Sequence, residues 1–481
     1  MKIGIDFGTS YSAAAALVDG EVRTIRFGDE RQFRTTVYFP EAVPDPSQFE
    51  LTDALEAEVE AQVRNARTQQ TRAINEAQAR REHAARLPAE QREAALAMIP
   101  TPAQRSEQDL RRDAVRAVRR QWLELQVREA RASAASLQNA VYGEEAVEAY
   151  LSEGFGNLVQ SPKSMLGYQL APHVRQTIVG IAGYILEHIR LTAGQQLGAN
   201  VRRAVLGRPV QFRSSLGAAG GDQALEIMTE AAASAGFDEV SFLEEPVAAA
   251  LGYHAQSADR HRTLVVDIGG GTTDITLAEV GGPQAPVVLG SWGIARGGVD
   301  VDLSLSLSRF MPLFGKGATR VPAHHYVEAA TVHDVVRQRE FQRRDSYREV
   351  DAPFGPRLIS LQQAGNTTRL SRAVESTKIQ LSTQGDSQAT LDYIERDLGL
   401  ASTADDLARA ADPFLGNLAE LLREVGAEIG EAPAAVFLTG GMSRAPYVRE
   451  TVRQCFPNAR QVAGDASLGV VSGLAFAAAR G

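Results

Sequence analysis

An α/β fold is predicted by three features: a glycine hairpin at residues 264–280, a second hairpin of the same logic at the N-terminus, and helical periodicity in most segments between and after them. In residues 264–280, LVVDIGGGTTDITLAEV, apolar residues surround Asp267, three glycines follow, and Thr272, Thr273 and Asp274 lead into another apolar run. This reads as strand, tight turn, strand. A tip without Cβ atoms brings several backbone N–H groups against one anion. Flanking carboxylates would repel that anion unless a divalent cation lay between them, so the pattern suggests a Mg-phosphate site. Residues 2–7, KIGIDF, the tip Gly8-Thr9-Ser10 and a strand over 11–18 repeat the arrangement around Asp6. Asp19-Gly20 is a hairpin signal leading to a third strand over 21–27. Two such hairpins suggest a duplicated phosphate-binding unit.

The remaining elements follow in order. Residues 51–138 are rich in Ala, Arg, Glu and Gln and lack glycine until the chain resumes. Leu51, Leu55, Val59 and Val63, then Val115, Val118, Trp122 and Leu125, recur at helical spacing, with Pro88, Pro100 and Pro102 between. The expectation is a long helical hairpin with a short helical piece at its bend. Such an arm is either solvated or a surface for a partner or a dimer. Lys163 lies in LVQSPKSMLGYQL, followed by an amphipathic helix over 173–197, a strand over 202–207, a helix over 222–235 and a short strand over 240–243. Glu244-Glu245-Pro246 opens a helix of small residues; Glu245 suits its positive end, whether as a cap or as a functional group. A strand over 286–292 precedes the glycine turn Gly297-Gly298, which opens a helix running to Phe310. Residues 312–360 read as irregular and charged. The helix over 370–381 puts Glu375 and Lys378 on one face, as a solvated ion pair or as ligand contacts. A helix over 405–429 leads to a strand over 434–438. There Thr439-Gly440-Gly441 turns into a helix from Arg444 to Cys455, and a ligand can approach that helix N-terminus. A helix of small residues over 467–480, which must pack tightly, closes the sequence.

Composition narrows the classes. The 481 residues suffice for two or more cores, and 44% hydrophobic with 23% charged residues is ordinary for a globular chain. A net charge of −9 argues against general nucleic-acid binding. Cys455 is the only cysteine, the N-terminus enters a strand rather than a secretory signal, and no apolar run approaches the roughly 20 residues that span a bilayer. The expectation is a cytoplasmic protein with no membrane partner. Of 50 basic residues only four are lysines, Lys2, Lys163, Lys316 and Lys378, so each is a candidate for a place where arginine would not serve, against a background bias toward arginine from base composition.

Five pieces stand in order: GIDFGTS, LEEPVAAALGY, VVDIGGGTTD, FLTGGMSRAPYV and GVVSGLAFAAA. Together they resemble the actin-like ATPase superfamily, and within it the DnaK-type heat-shock chaperones, most like the YegD-like putative chaperones. The resemblance covers nearly the whole chain except residues 51–138. It implies an actin-like ATPase fold: two ribonuclease-H-like lobes around a nucleotide cleft, plus the inserted helical arm. Lobe I would comprise residues 1–39 with 173–260 and 459–481, with 40–172 as its outer subdomain. Lobe II would comprise 261–297 with 400–458, with 298–399 as its outer subdomain. The resemblance further implies ATP or ADP with Mg held through water by Asp6 and Asp267. Gly8, Thr9, Ser10 and Tyr11 would grip the nucleotide from one side. Gly269, Gly270, Gly271, Thr272 and Thr273, with Gly297 and Gly298, would grip it from the other. Glu245 would position or deprotonate the attacking water and Lys163 would steer it, since a compact ammonium suits a point contact. Glu375 and Lys378 would reach the ribose, Gly440, Gly441 and Arg444 would hold the adenosine, and Ser382 and Met442, the latter beside the base, would complete the cofactor site.

Two departures stand out. Ile379 occupies a position where the family places an adenine-facing arginine, and Met442 replaces a small hydroxyl residue. In the chaperones a linker and a peptide-binding domain follow the last ATPase helix, whereas Arg480 and Gly481 end this sequence, so peptide clamping is not inferred. The function expected is a Mg-ATP-driven conformational switch with slow hydrolysis acting through a partner, or an ATP-binding protein without turnover. The alternatives are an actin-like scaffold or filament protein and a small-molecule kinase of the same superfamily.

Overall fold

The computed structural model describes residues 1–40, 49–88, 91–92, 96, 99, 105–132, 140–154, 156–464 and 468–480. The chain divides into two compact units: Met1–Tyr38 with Ala140–Gly481, and Phe39–Asn139.

In the first unit, β1 (Lys2–Phe7), β2 (Tyr11–Val18) and β3 (Glu21–Thr24) form an antiparallel meander, with the short β4 (Phe33–Arg34) beside β2. The third strand ends three residues before the expected Phe27, although Ile25 N still donates to Ala14 O at 2.8 Å. β5 (Thr36–Phe39), β6 (Val141–Tyr142) and β7 (Asn157–Gln160) make a small separate sheet. β8 (Arg203–Arg208) and β9 (Glu239–Glu244) extend the first sheet in parallel from β1, in the order β3-β2-β1-β8-β9.

β10 (His261–Ile268), β11 (Thr273–Val280) and β12 (Val287–Ile294) form a second antiparallel meander. β13 (Asp386–Thr390) and β14 (Gly399–Thr403) pair as a hairpin. β15 (Ala435–Thr439) and β16 (Arg460–Ala463) then extend the second sheet in parallel from β10, in the order β12-β11-β10-β15-β16. The two large sheets therefore share order and strand sense. The inner parallel strand β15 (AVFLT) is apolar, with five buried residues in succession, whereas the edge strands β9 (EVSFLE) and β16 (RQVA) are only partly covered.

Two helices of small residues tie the sheets together. Glu245–His254 and Gly469–Arg480 pack on each other and contribute Ala248, Ala249, Ala250, Val470, Leu474 and Ala478 to a core that includes Val205, Val265 and Phe437. Their backbones approach closely: a Cβ on Gly473 would lie 1.6 Å from Ala248 O. The tight packing expected of the last helix is thus set by glycine, although its expected start at Ser467 lies outside the described residues. A second core beneath β10, β11 and β15 is filled by Phe414, Leu418 and Leu422 of the helix Ala404–Ile429.

Residues 312–360 are not irregular. They hold three eight-residue helices, Ala323–Ala330, Val335–Gln342 and Phe354–Leu361, around a core with Phe314, Tyr326, Phe341, Tyr347 and Leu358. Two turns of regular apolar spacing are too short to stand out among so many charges.

The second unit is a helical hairpin of Asp53–Ala85 and Glu107–Ala132. Val59, Ala114 and Val118 form its small core with Phe49, Leu55 and Val63 against it, and Thr52 caps the first helix. The expected helical piece at the bend, with Pro100 and Pro102, lies largely outside the described residues.

Candidate functional site

The β1–β2 and β10–β11 tips face one cavity of about 900 Å³ in the first unit. Gly8, Thr9, Ser10 and Tyr11 line it from one hairpin, and Gly269, Gly270, Gly271 and Thr272 from the other. The tips lie against each other: a Cβ on Gly270 would sit 2.3 Å from Ser10 Oγ, and one on Gly271 would sit 2.6 Å from Thr9 Oγ1. A side chain at either glycine would force the Ser10 or Thr9 hydroxyl to move. The second tip is backed by the turn Gly297-Gly298. Gly298 N donates to Gly269 O at 3.1 Å, and Val299 N donates to Gly270 O at 2.9 Å.

Four carboxylates and one ammonium gather beside the tips. Asp6 leaves β1, and Asp267 on β10 faces Asp274 across the ladder with β11. Lys163 sits in the short 3-10 turn Pro162–Met165, and Glu245 begins the helix after β9. Both are buried and form an ion pair. Glu245 is therefore not spent as a helix cap, since its side chain is taken by the lysine. Burial, with Glu245 nearby, pushes Asp6 up to about 7 despite the opposing Lys163. The same causes raise Asp274 to about 7 and hold Asp267 well above the usual carboxylate range. Lys163 is held above its ordinary value: its carboxylate neighbours, Glu245 first and then Asp6, outweigh the burial that opposes its charge. Such a site favours an added positive charge. Among the described residues no group of three or more His, Cys, Asp or Glu is placed to grip a metal directly. The donor set suits a hydrated ion such as Mg, which keeps several of its waters.

The cavity is also lined by Glu375, Lys378, Ile379, Ser382, Gly440, Gly441, Met442, Arg444 and Tyr447. Glu375 and Lys378 share a helix face but do not pair as a local ion pair. Glu375 meets Arg34 of β4 at 3.0 Å, and Lys378 meets Asp302 at 2.8 Å. Lys378 is raised because Asp302 outweighs its burial, and Asp302 is raised by burial despite Lys378. Ser382 Oγ donates to Lys378 O at 2.8 Å. Gly440 turns with φ of 80°, and a Cβ there would strike Ile268 O at 2.4 Å. Met442 is buried and also belongs to the core under the second sheet. Ile379 is 60% exposed.

Two expected residues do not line the cavity. Thr273 is fully buried in β11, its hydroxyl donating to Arg296 O at 2.9 Å. Gly297 lies behind the tip, where a Cβ would sit 2.7 Å from the carbonyls of Gly269 and Gly270. Both support the hairpin rather than face a ligand.

Several residues at the site escape a reading of the sequence. Asp274 accepts a hydrogen bond from Val210 N at 2.6 Å and one from the Thr272 hydroxyl. Arg34 joins Glu375, Glu144 at 3.2 Å and the Tyr11 hydroxyl at 3.2 Å. Arg213 donates from Nε to Gly271 O at 2.8 Å and pairs with Asp300. Asp302 carried a weak signal, lying one turn into a helix opened by Gly297-Gly298. Asp274 lies in β11 and reads in the sequence only as a carboxylate flanking the tip, while Arg34 sits in a two-residue strand and Arg213 in a loop, where no periodicity marks them.

The sequence profile of the Hsp70 protein family matches residues 159–316, under half of the chain. That segment carries Lys163, Glu245, Asp267 and the glycine tip, but not Asp6 or the Gly440 turn. The chaperone protein DnaK of Anaplasma marginale (strain St. Maries) is 28% identical over 291 residues, covering 58% of this chain. The chain spans 38% of that relative's length. The mixed α/β architecture is consistent with an Hsp70 ATPase-type fold. No helix among the described residues is long and apolar enough to cross a membrane.

Proposed function

We propose that the chain is an ATP-binding, DnaK-like chaperone-type protein, closest in character to the YegD-like putative chaperones, that binds ATP or ADP with Mg and hydrolyses ATP slowly. One observation carries the reading: two glycine-and-hydroxyl tips meet beside Asp6, Asp267 and the Lys163–Glu245 pair in a single cavity. The residues fit the ligands on their own terms. A Cβ at Gly270 or Gly271 would fill the space between the tips, and carboxylates held above their ordinary range are relieved by a cation.

Asp6 and Asp267 would hold hydrated Mg, which supplies charge for the phosphates. Gly8, Thr9 and Ser10 would hold phosphate from one lobe and Gly269 to Thr272 from the other, the lobes being divided as the sequence resemblance implies. Glu245 orients the attacking water and accepts its proton. Lys163, paired to Glu245 until ligand arrives, supplies the positive charge that developing phosphoryl charge requires. Glu375, Lys378 and Ser382 would take the ribose, and Gly440, Gly441, Met442 and Arg444 the adenosine. With the aliphatic Ile379 on one face of the base, affinity would be modest. The helical arm would serve a protein partner, and the protein would work in the cytoplasm.

The test is calorimetry with Mg-ATP, followed by single-turnover hydrolysis of wild type beside Lys163→Ala. Micromolar binding is expected, with turnover falling about 100-fold in the variant. Absence of adenine-nucleotide binding at millimolar concentration overturns the proposal. Equal rates remove Lys163 from the chemistry.

A further inference from the structure

The three carbonyls of the second glycine tip are all held. Gly269 O accepts from Gly298 N at 3.1 Å and Gly270 O from Val299 N at 2.9 Å, both at the start of the helix Gly298–Leu305. The third, Gly271 O, is served by a side chain, Arg213 Nε at 2.8 Å. The N–H groups of Gly270, Gly271 and Thr272 donate to no backbone carbonyl among the described residues. In a trans peptide the carbonyl and the following N–H point opposite ways, so a donor on each carbonyl fixes the plane and sends each N–H away from that donor. The helix start supplies two donors; the third plane depends on Arg213.

The guanidinium is itself held. It pairs with Asp300, whose Oδ2 accepts from Gly297 N at 2.8 Å and whose Oδ1 meets Arg296 at 3.1 Å. One carboxylate thus anchors the helix start behind the first two planes and the arginine behind the third. Arg213 and Asp300 are both mostly buried and both line the cavity.

We propose that Arg213 is a positioning residue for the anion-binding tip, pinning the Gly271–Thr272 peptide so that its N–H is preset for an oligophosphate. The inference deepens the nucleotide reading above and rests on it. Arginine is required because its planar fork serves a carbonyl and a carboxylate together, which the ammonium of lysine does not.

The test uses the full chain with three probes: Mg-pyrophosphate, Mg-ADP and, by competition, adenosine. Arg213→Ala is expected to bind pyrophosphate and ADP about tenfold more weakly, the scale of one lost charge-assisted contact, with adenosine affinity unchanged. Backbone NMR order parameters at residues 271–272 should fall in the ligand-free variant and stay unchanged elsewhere. Unchanged ADP affinity, or a parallel loss for adenosine, overturns the proposal. If Arg213→Ala does not fold, Arg213→Lys decides: pyrophosphate affinity reduced threefold or more at unaltered Tm supports it, and wild-type affinity overturns it. Wild type that binds pyrophosphate but not ADP ends the adenine reading and leaves Arg213 to be judged on pyrophosphate. Wild type that binds neither ends both.

Discussion

At the scale of single residues, the buried carboxylates are the informative feature. Asp6 titrates near 7 in the folded chain against an ordinary 3.8, because burial and Glu245 disfavour its charge more than Lys163 favours it. A raised carboxyl takes up a proton on folding. Its stabilising share is complete below about pH 4 and is lost as pH rises through about 7. Asp6→Asn removes that loss. Without ligand, the variant should match wild type in Tm near pH 4, gain on it up to about pH 7, and hold a constant lead above. The lead is expected to be about 1–2 kcal/mol. That is less than the ~4 kcal/mol that roughly 1.4 kcal/mol per unit would give over the window from 3.8 to about 7, because Asp6 lines a wet cavity that screens it. Thermal unfolding against pH measures this, and a pH-independent difference would show that Asp6 is not held neutral. The same variant should lose Mg dependence of nucleotide binding, since a site that resists charge when empty holds a cation when filled.

At the scale of elements, the strand β4 and the helix Asn366–Leu381 meet in the cavity lining through Arg34 and Glu375, with Glu144 bonded to both Arg34 and Arg372. Isolated surface pairs contribute little, but Arg34 is only 19% exposed and joins two carboxylates and Tyr11. Arg34→Ala is expected to speed release of a fluorescent nucleotide about three- to tenfold. Stopped-flow release should quicken with salt in wild type and vary little with salt in the variant; equal salt dependence would remove the network from release. Elements also separate what was legible from what was not. Both hairpins, the arm's helices and the small-residue helices were readable because period and glycine placement repeat over a dozen residues or more. The three short helices in 312–360 were not, nor was the β5–β7 sheet, whose strands run two to four residues. At the site, Lys163 stood out as one of four lysines. Arg213 could not, since its partner is a backbone carbonyl 58 residues away that any sequence would supply.

At the scale of the whole molecule, two sheets of identical order place equivalent β-hairpin tips at one cavity, and the helices Glu245–His254 and Gly469–Arg480 join the sheets behind it. Every residue lining that cavity belongs to the unit Met1–Tyr38 with Ala140–Gly481, and none to Phe39–Asn139. The arm has its own core of Val59, Ala114 and Val118, and most of its other described residues are exposed or half-buried. The cavity proposed to hold nucleotide and the arm are therefore separable in composition. Replacing residues 52–132 with a short Gly/Ser linker should leave Mg-ADP affinity within twofold while lowering the helical signal in circular dichroism. A partner captured by wild type in the presence of ATP should be lost from the shortened chain if the arm recognises it. A large fall in nucleotide affinity would instead mean that the arm sets the geometry of the cavity, and the division of labour between the two units would have to be redrawn.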